Sequence, residues 1–180
     1  MSTLGNRISI IGSNSCVGKS TLADKLGKKL GIPVVHLDQL YHYPKGNWVA
    51  RPLEEYLELH EKAIAEDSWI VEGNYTRSMD KRFERSDTII NIEMNRFGCM
   101  WRYIKRHFAD ARNPGHQIGR IESAAEKFNW SMINWILGPK TLDKDRRKKI
   151  KVRNELWKTN KSKMITLRSF KAINDFVYSL

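Results

Sequence analysis

The stretch that decides the fold is Gly12-Ser13-Asn14-Ser15-Cys16-Val17-Gly18-Lys19-Ser20-Thr21. A short apolar run, Ile8–Ile11, precedes it and predicts a buried strand, because a glycine loop follows directly. Thr21–Leu30 predicts an amphipathic helix with leucines four residues apart, which Gly31 ends. A loop of small residues between a strand and a helix is the context of a Walker A phosphate-binding motif.

The chemistry of this loop points to a nucleotide. Small residues let successive backbone N–H groups curl around a polyphosphate, and the helix that follows directs its positive dipole end at the same anion. We expect Lys19 to reach the β- and γ-phosphates and Ser20 to ligate Mg²⁺, so that ATP and Mg²⁺ are the predicted cofactors. The candidate nucleotide-binding residues are Gly12, Ser13, Asn14, Ser15, Cys16, Val17, Gly18, Lys19, Ser20 and Thr21.

The spacing of the loop is unusual. Five residues separate Gly12 from Gly18, whereas the usual motif has four between its two glycines. Either Ser13 occupies the first glycine position or the loop carries one extra residue. Because Ser13 is small, we favour the substitution.

Size and composition indicate one globular domain over residues 1–180. The chain has 180 residues, of which 41% are hydrophobic, and this composition excludes a wholly disordered protein. It has no apolar run near the ~18–20 residues that cross a bilayer, and its start does not resemble a signal peptide. Its two cysteines, Cys16 and Cys99, are expected to be reduced thiols. We therefore expect a cytoplasmic protein without a membrane partner.

The positive charge is concentrated in one block. The net charge is +12, and residues 94–163 hold 18 basic and 6 acidic side chains against 14 and 14 elsewhere. A local positive field favours an anionic partner, such as a phosphorylated small molecule or a nucleic acid. The alternative is a solvated face that aids solubility.

Strands and helices alternate along the rest of the chain, which predicts an α/β fold with a mostly parallel sheet. Four more strands are predicted at Ile32–Leu37, Trp69–Val71, Thr88–Ile92 and Met164–Leu167. Further helices are predicted at Leu53–Glu66, Arg96–Phe108, near Ile121–Leu137, at Lys140–Lys158 and at Phe170–Val177, with a turn at Asn113-Pro114-Gly115. The helical stretch of about 96–160 is read as a lid inserted into the domain.

The chain lacks the Asn-Lys-x-Asp pattern that reads guanine in GTPases. Its nearest match, Asn160-Lys161-Ser162-Lys163, has a lysine in place of the acidic residue, and a lysine cannot accept the two N–H bonds of guanine. A single small domain with a basic insertion is more typical of a phosphotransferase.

Four stretches together resemble the DNA topology modulation proteins, which are adenylate-kinase-like ATPases with the nucleoside-monophosphate-kinase-like P-loop fold. The stretches are the phosphate loop, His36-Leu37-Asp38-Gln39-Leu40-Tyr41-His42-Tyr43-Pro44 followed by Trp48, Trp69-Ile70-Val71-Glu72-Gly73-Asn74-Tyr75, and the basic helix with Arg102 and Arg106. The resemblance implies a three-layer fold with a five-stranded parallel sheet in the order 2-3-1-4-5, ATP binding and phosphoryl transfer. It also implies that Arg102 and Arg106 grip ATP phosphates, and their spacing places them on one helix face.

Two carboxylates are expected beside the loop. Asp38 would lie at the carboxyl end of the second strand, where it can hold an acceptor hydroxyl or take its proton; the alternative is a helix-capping or turn residue. Glu72 ends the third strand, where it can orient Mg²⁺-bound water or a substrate group; the alternative is a solvent-facing strand end. His36 is interpreted as structural.

The remaining candidates are acceptor-binding or core residues. Asn74, Arg77 and Arg82 are candidates for acceptor binding, and the alternative for the arginines is a salt bridge to Asp80 or Glu84. Arg112 and Arg120 are secondary candidates from the lid. Trp101, Trp130, Trp135 and Trp157 can stack on bases, but we favour packing in a helical core.

The sequence therefore predicts an ATP- and Mg²⁺-dependent small-molecule phosphotransferase, similar to a nucleotide or nucleoside kinase. Lys19, Asp38, Arg102 and Arg106 are its candidate catalytic residues, and Ser20 and Glu72 its candidate metal-binding residues. The alternatives are a nucleic-acid-associated protein in which ATP binding is regulatory, and a nucleotide-binding protein that only hydrolyses slowly. The acceptor and the oligomeric state do not follow from the sequence.

Overall fold

The computed structural model describes residues 4–44, 48–112, 130–138 and 144–180. The strands are β1 (Arg7–Gly12), β2 (Val34–His36), β3 (Trp69–Glu72), β4 (Thr88–Ile92) and β5 (Met164–Leu167). The helices are α1 (Lys19–Leu30), α2 (Leu37–Tyr41), α3 (Leu53–Ala65), α4 (Met79–Arg85), α5 (Arg96–Arg112), α6 (Trp130–Leu137), α7 (Lys144–Thr159) and α8 (Phe170–Tyr178), with a 3₁₀ turn at Lys161–Lys163.

The five strands form one parallel sheet in the order β2-β3-β1-β4-β5, which confirms the predicted fold class and strand order. β3 and β4 are buried along their whole length, as is usual when helices cover both faces of a parallel sheet. The order places β1 at the centre, so the loop that follows β1 opens at the carboxyl edge between β3 and β4.

Alternate strand residues face opposite layers of helices. On one face, Ile70 and Ile90 pack with buried side chains of α1, α5, α6 and α8. On the other, Trp69 and Val71 pack against α2 and α3, whereas Ile89 packs against α4 and α7. The result is a three-layer α/β/α arrangement in which the sheet is the middle layer.

The second strand is shorter than predicted, because it covers Val34–His36 and the chain turns at Leu37 into the short helix α2. Leu37 is buried in the core beneath α3, and its side chain also fills the space beside Gly73, where an added Cβ would lie 2.9 Å from the Leu37 Cβ. Burying this leucine directs the chain away from the sheet edge. Asp38 therefore lies in the first turn of a helix and not at the end of a strand.

The described residues of the insertion form mainly the helices α5, α6 and α7. The predicted turn at Asn113-Pro114-Gly115, Arg120 and residues 121–129 and 140–143 of the predicted helices lie outside the described residues, as does the side chain of Arg112. Within the described parts of the chain, no helix combines the length and the apolar character needed to cross a membrane.

The expectation that the tryptophans of the basic block form a core is wrong for three of them. Trp101, Trp130 and Trp135 are 59%, 72% and 41% exposed. α5 buries Cys99 and Tyr103 instead, and α6 buries Ile136. Helical periodicity shows which residues share a face, but it does not show which of two apolar faces is turned to the sheet.

Candidate functional site

The loop between β1 and α1 ends in a backbone conformation that favours glycine. Gly18 has φ 98° and ψ 20°, and it caps α1 at its N-terminus without a side-chain hydrogen bond. No acidic residue lies in the first turn of α1. The N–H groups of this turn and the helix dipole are thus directed at the loop, an arrangement that attracts an anion.

Ser13 connects the start of the loop to the end of β4 through two hydrogen bonds. Its backbone N–H donates to the Ile92 carbonyl at 2.8 Å, and its Oγ accepts from the Met94 N–H at 3.2 Å. Further along, Cys16 has a left-handed φ of 60°, and the buried Asn14 donates to the Ile136 carbonyl of α6 at 3.1 Å. The side chains of Ser13 and Asn14 therefore connect the loop to the end of β4 and to α6.

Asn74 holds the end of β1 from the opposite side. Its Oδ1 accepts from the Gly12 N–H at 3.0 Å, and its Nδ2 donates to the Gly12 carbonyl at 2.8 Å. The sequence predicts an acceptor contact for Asn74, but both polar atoms of its amide are engaged here. Asn74 links the turn after β3 to the phosphate loop.

Ser20 and Glu72, the two candidate metal-binding residues, are in contact. Ser20 Oγ donates to Glu72 Oε1 at 2.9 Å, and the same oxygen lies 2.9 Å from His36 Nδ1. The other ring nitrogen of His36 lies 3.2 Å from Asp24 Oδ1. Glu72 is only 3% exposed, which excludes the solvent-facing strand end considered above.

Charge and burial act against each other on this network. Burial alone raises the pKa of Glu72, but the hydrogen bonds from His36 and Ser20 and the positive charges of Lys19 and His36 outweigh it, so that the pKa lies below its usual value. For His36 the effects have the opposite sign: burial lowers its pKa, but the carboxylates of Glu72 and Asp24 together raise the pKa above its usual value. Glu72 is thus held as an anion beside a histidine that favours the protonated form.

Two cations lie close to the loop. The stem of Lys19 passes Gly12, where an added Cβ would lie 3.4 Å from Lys19 Cδ. An added Cβ at Gly18 would lie 3.6 Å from Arg102 Nη2, and the Arg102 guanidinium also stacks 4.3 Å above the ring of Phe170. Burial and the positive charge of Arg106 lower the pKa of Arg102. Of the two predicted phosphate-binding arginines of α5, Arg102 therefore lies beside the loop.

Asp38 faces a group of aromatic side chains. The Tyr75 hydroxyl donates to Asp38 Oδ1 at 2.7 Å, and burial together with the Asp38 charge raises the pKa of Tyr75. Tyr41 and Tyr56 lie 4.9 and 5.4 Å from the Tyr75 ring, centroid to centroid. A carboxylate held by a tyrosine at the wall of an aromatic group can contact both polar and apolar parts of a small molecule.

The two acceptor arginines differ in position. Arg77 is exposed, whereas Arg82 is fully buried and donates to the Gly73 carbonyl at 2.9 Å. Burial lowers the pKa of Arg82 to about 10, and its Nε and Nη1 have no hydrogen-bond partner among the described residues. Arg82 makes no salt bridge to Asp80 or Glu84 there, so the alternative for this residue does not hold.

The arrangement fits magnesium bound through a phosphate. Mg²⁺ usually takes one or two protein oxygens and completes its shell with water and substrate phosphates. Ser20 and Glu72 supply two such oxygens next to the helix N-terminus. No group of three or more His, Cys, Asp or Glu side chains among the described residues could hold a metal ion by itself.

Two residues of this site, Asp24 and His36, have contacts that the sequence did not reveal. The structure pairs His36 with Glu72 because β2 and β3 run parallel in that register. Asp24 follows Ser20 by four residues in α1, and this spacing was the available signal that both face the same strands.

The comparisons with known proteins show the fold. No family model and no curated protein sequence matches the chain. Among solved structures, a gluconokinase from Sinorhizobium meliloti 1021 is similar with a TM-score of 0.53 and 12% identity, over 97% of this chain and 89% of that one. The shikimate kinase of Acinetobacter baumannii in complex with shikimate is similar with a TM-score of 0.54 and 11% identity, over 96% of this chain and 89% of that one. A sugar kinase from Janibacter sp. HTCC2649 is similar with a TM-score of 0.50 and 11% identity, over 97% of this chain and 91% of that one.

The similar structures support the P-loop kinase-like fold. They do not distinguish the DNA topology modulation proteins from other branches of that fold, so the narrower resemblance stays a prediction.

Proposed function

We propose that this chain is an ATP- and Mg²⁺-dependent phosphotransferase of the small-molecule kinase type, with a nucleotide, a nucleoside or a similar hydroxyl or phosphate compound as acceptor. The observation that carries the proposal is the contact between Ser20 and Glu72 at the start of α1. A hydroxyl and a buried carboxylate beside a helix N-terminus and a lysine are the groups that a Mg²⁺–triphosphate requires.

The loop and α5 bind the nucleotide in this proposal. The backbone from Gly12 to Thr21 surrounds the phosphates, and Lys19 neutralises the β- and γ-phosphates. Ser20 and Glu72 would hold Mg²⁺, which would stabilise the negative charge of the transferring group. Arg102, already beside Gly18, and Arg106 add positive charge there, and such groups lower a barrier by several kcal/mol.

In the same proposal, the acceptor binds beside Asp38 and Tyr75. Asp38 receives the proton of the acceptor hydroxyl, and Tyr75 holds the carboxylate in place through its 2.7 Å hydrogen bond. Arg77, exposed in the turn after β3, is available for an anionic group of the acceptor. Arg82 supports this side by holding the Gly73 carbonyl, so its contribution to acceptor binding is indirect.

The similar structures support a small-molecule acceptor. They include a gluconokinase and a shikimate kinase with shikimate bound. Part of the same proposal is a single domain over residues 1–180, in which the insertion of about 96–160 acts as a lid over the nucleotide. A cytoplasmic location, where ATP is abundant, suits this activity.

The test is a panel of nucleosides, nucleotides and small phosphorylated or hydroxylated compounds, screened for acceptor-dependent ADP release. We expect at least one compound to stimulate release, and Lys19→Ala to abolish it while the circular dichroism spectrum is unchanged. Lys28→Ala, an exposed lysine of the same helix, is the matched control and keeps the rate. An unchanged rate in Lys19→Ala contradicts the assignment.

A second function is favoured by the exposed aromatic residues of the basic block. Trp101 is 59% exposed and the Lys105 ammonium lies 5.3 Å from its ring centroid, an arrangement that can stack on a base beside a phosphate. In this alternative the protein binds nucleic acid and ATP binding is regulatory. A steep decrease of DNA affinity with salt supports it, and affinity for duplex DNA no tighter than millimolar at ~0.15 M salt contradicts it.

A further inference from the structure

A closed ring of four polar side chains lies behind the phosphate loop. Ser20 and Asp24 lie one helical turn apart on α1, and they contact Glu72 and His36 respectively. Glu72 and His36 are register partners on β3 and β2, and their side chains are joined at 2.9 Å. The ring thus connects α1, β3 and β2 and returns to α1.

The ring contacts only one of the two carboxylate oxygens of Glu72. Ser20 Oγ and His36 Nδ1 both lie at Oε1, whereas Oε2 has no hydrogen-bond partner among the described residues. Two directional contacts at one oxygen fix the rotation of the carboxylate. Oε2 is thereby left available to a metal ion or to a water of its shell.

His36 is the member that connects two carboxylates. Its Nδ1 lies 2.9 Å from Glu72 and its Nε2 lies 3.2 Å from Asp24. A carboxylate accepts hydrogen bonds when it is ionised, so each ring nitrogen acts as a donor when both carboxylates are charged. Asp24, 26% exposed, fixes the ring orientation from the outer side, as carboxylates do for histidines at metal sites.

We propose that His36, oriented by Asp24, is a positioning residue for Mg²⁺: it holds Glu72 so that Oε2 faces the metal shell. This deepens the proposed function and rests on it. His36 touches neither nucleotide nor metal in this role and acts only through Glu72. Removing partners of this kind commonly weakens metal binding 10–100-fold.

Two conservative variants separate the two contacts. An asparagine amide nitrogen can replace Nδ1 of histidine, so His36→Asn retains the donor toward Glu72. A glutamine amide nitrogen can replace Nε2, so His36→Gln retains the donor toward Asp24 only. His36→Leu removes both donors, and Asp24→Asn removes the outer charge while leaving His36 in place.

The measurement is calorimetric binding of the non-hydrolysable analogue AMP-PNP, with and without Mg²⁺, to the full chain and its variants. We expect His36→Leu and His36→Gln to weaken Mg²⁺-dependent binding about 10–100-fold, with less than about a 3-fold change without Mg²⁺. His36→Asn is expected to stay within about 3-fold of the unmodified chain. Asp24→Asn should show a smaller loss in the same direction.

Three results overturn the proposal. The first is an unchanged Mg²⁺ dependence in His36→Leu; if that variant does not fold, an unchanged dependence in both His36→Gln and Asp24→Asn serves instead. The second is equal binding by His36→Gln and His36→Asn. The third is an equal loss with and without Mg²⁺, which indicates a structural role only. If the unmodified chain does not bind AMP-PNP at all, the proposed function itself fails, and that result is distinct from the other three.

Discussion

The loop residues of the site are constrained by backbone conformation as much as by chemistry. Gly18 adopts φ 98°, where a side chain costs about 1–2 kcal/mol, and an added Cβ would contact the Arg102 guanidinium at 3.6 Å. We expect Gly18→Ala to lose AMP-PNP binding at least 10-fold and to lower the free energy of unfolding by about 1–2 kcal/mol.

Gly98 is the matched control for Gly18. It lies inside α5 with nothing within 4 Å of an added Cβ, so Gly98→Ala should be neutral or should stabilise by up to about 1 kcal/mol, with AMP-PNP binding retained. Urea unfolding and calorimetry measure both variants. Equal behaviour of the two alanine variants contradicts the constraint at Gly18.

His60 gives the protein an acid-sensitive stability. Burial and the positive charge of Arg82 lower the pKa of His60 to about 4, and the ring is fully buried with no hydrogen-bond partner for either nitrogen among the described residues. Below pH 6.5 the unfolded chain takes up a proton at this residue that the folded chain does not. The free energy of unfolding should therefore decrease by about 1.4 kcal/mol per pH unit from pH 6.5 down to about 4.

The variant His60→Leu removes this titration. Urea unfolding at pH 8 and at pH 4.5 should show a smaller decrease in stability for His60→Leu than for the unmodified chain, by about 2–3 kcal/mol. The comparison at pH 8, where the ring is neutral in both states, corrects for any packing change. Identical decreases in the two proteins rule out His60 as the source.

At the scale of the elements, Lys163 connects the start of β5 to the end of α4 through hydrogen bonds. Its Nζ donates to the carbonyls of Phe83, Glu84 and Ser86, the last two at 3.4 and 3.0 Å. Positively charged donors hydrogen-bond the free carbonyls at a helix C-terminus and interact favourably with the negative end of the helix dipole. We expect Lys163→Met to lower the free energy of unfolding by about 1–3 kcal/mol in urea titrations.

Lys161 belongs to the same 3₁₀ turn but is exposed, and Lys161→Met should change the stability by less than about 0.5 kcal/mol. A loss in Lys161→Met as large as in Lys163→Met would show that charge in this turn, and not the contact with α4, matters.

The elements themselves were largely predictable from the sequence. Thr88–Ile92 and Met164–Leu167 are strands over the predicted residues, because each is a short stretch rich in β-branched residues between charged residues. The end of the second strand was not predictable, since the helix that begins at Leu37 depends on the space beside Gly73. The exposed Trp130 shows the same limit, because its helix could have packed by either face.

At the scale of the whole molecule, binding should raise thermal stability through mass action. A ligand at 100 times its dissociation constant stabilises by about 2.7 kcal/mol, which for a chain of this size raises the unfolding midpoint by about 5–10 °C. We expect that shift with AMP-PNP and Mg²⁺ in scanning calorimetry. Lys19→Ala should show none, and an equal shift in Lys19→Ala would place the ligand elsewhere.

The site as a whole was only partly predictable. Ser20 was assigned to the metal from the strand–loop–helix order and Glu72 from its place at the end of the third strand, and the structure joins them. The contributions of His36 and Asp24 depend on strand register and helix rotation, which bring together residues 24, 36 and 72 and which no local pattern encodes. Asn74 was assigned to the acceptor from its place in the turn after the third strand, whereas its contact with Gly12 is a long-range one that no local pattern shows.

The two-point grip of Asn74 on Gly12 has a thermodynamic consequence. It joins the turn that follows β3 to the first residue of the nucleotide loop, so a compound that displaces the turn must also displace the loop. Occupancy on either side then changes the free energy of occupancy on the other, and reciprocity requires both changes to be equal. Under the proposed function, a nucleotide on one side and an acceptor on the other would bind with linked affinities, whichever of them binds first.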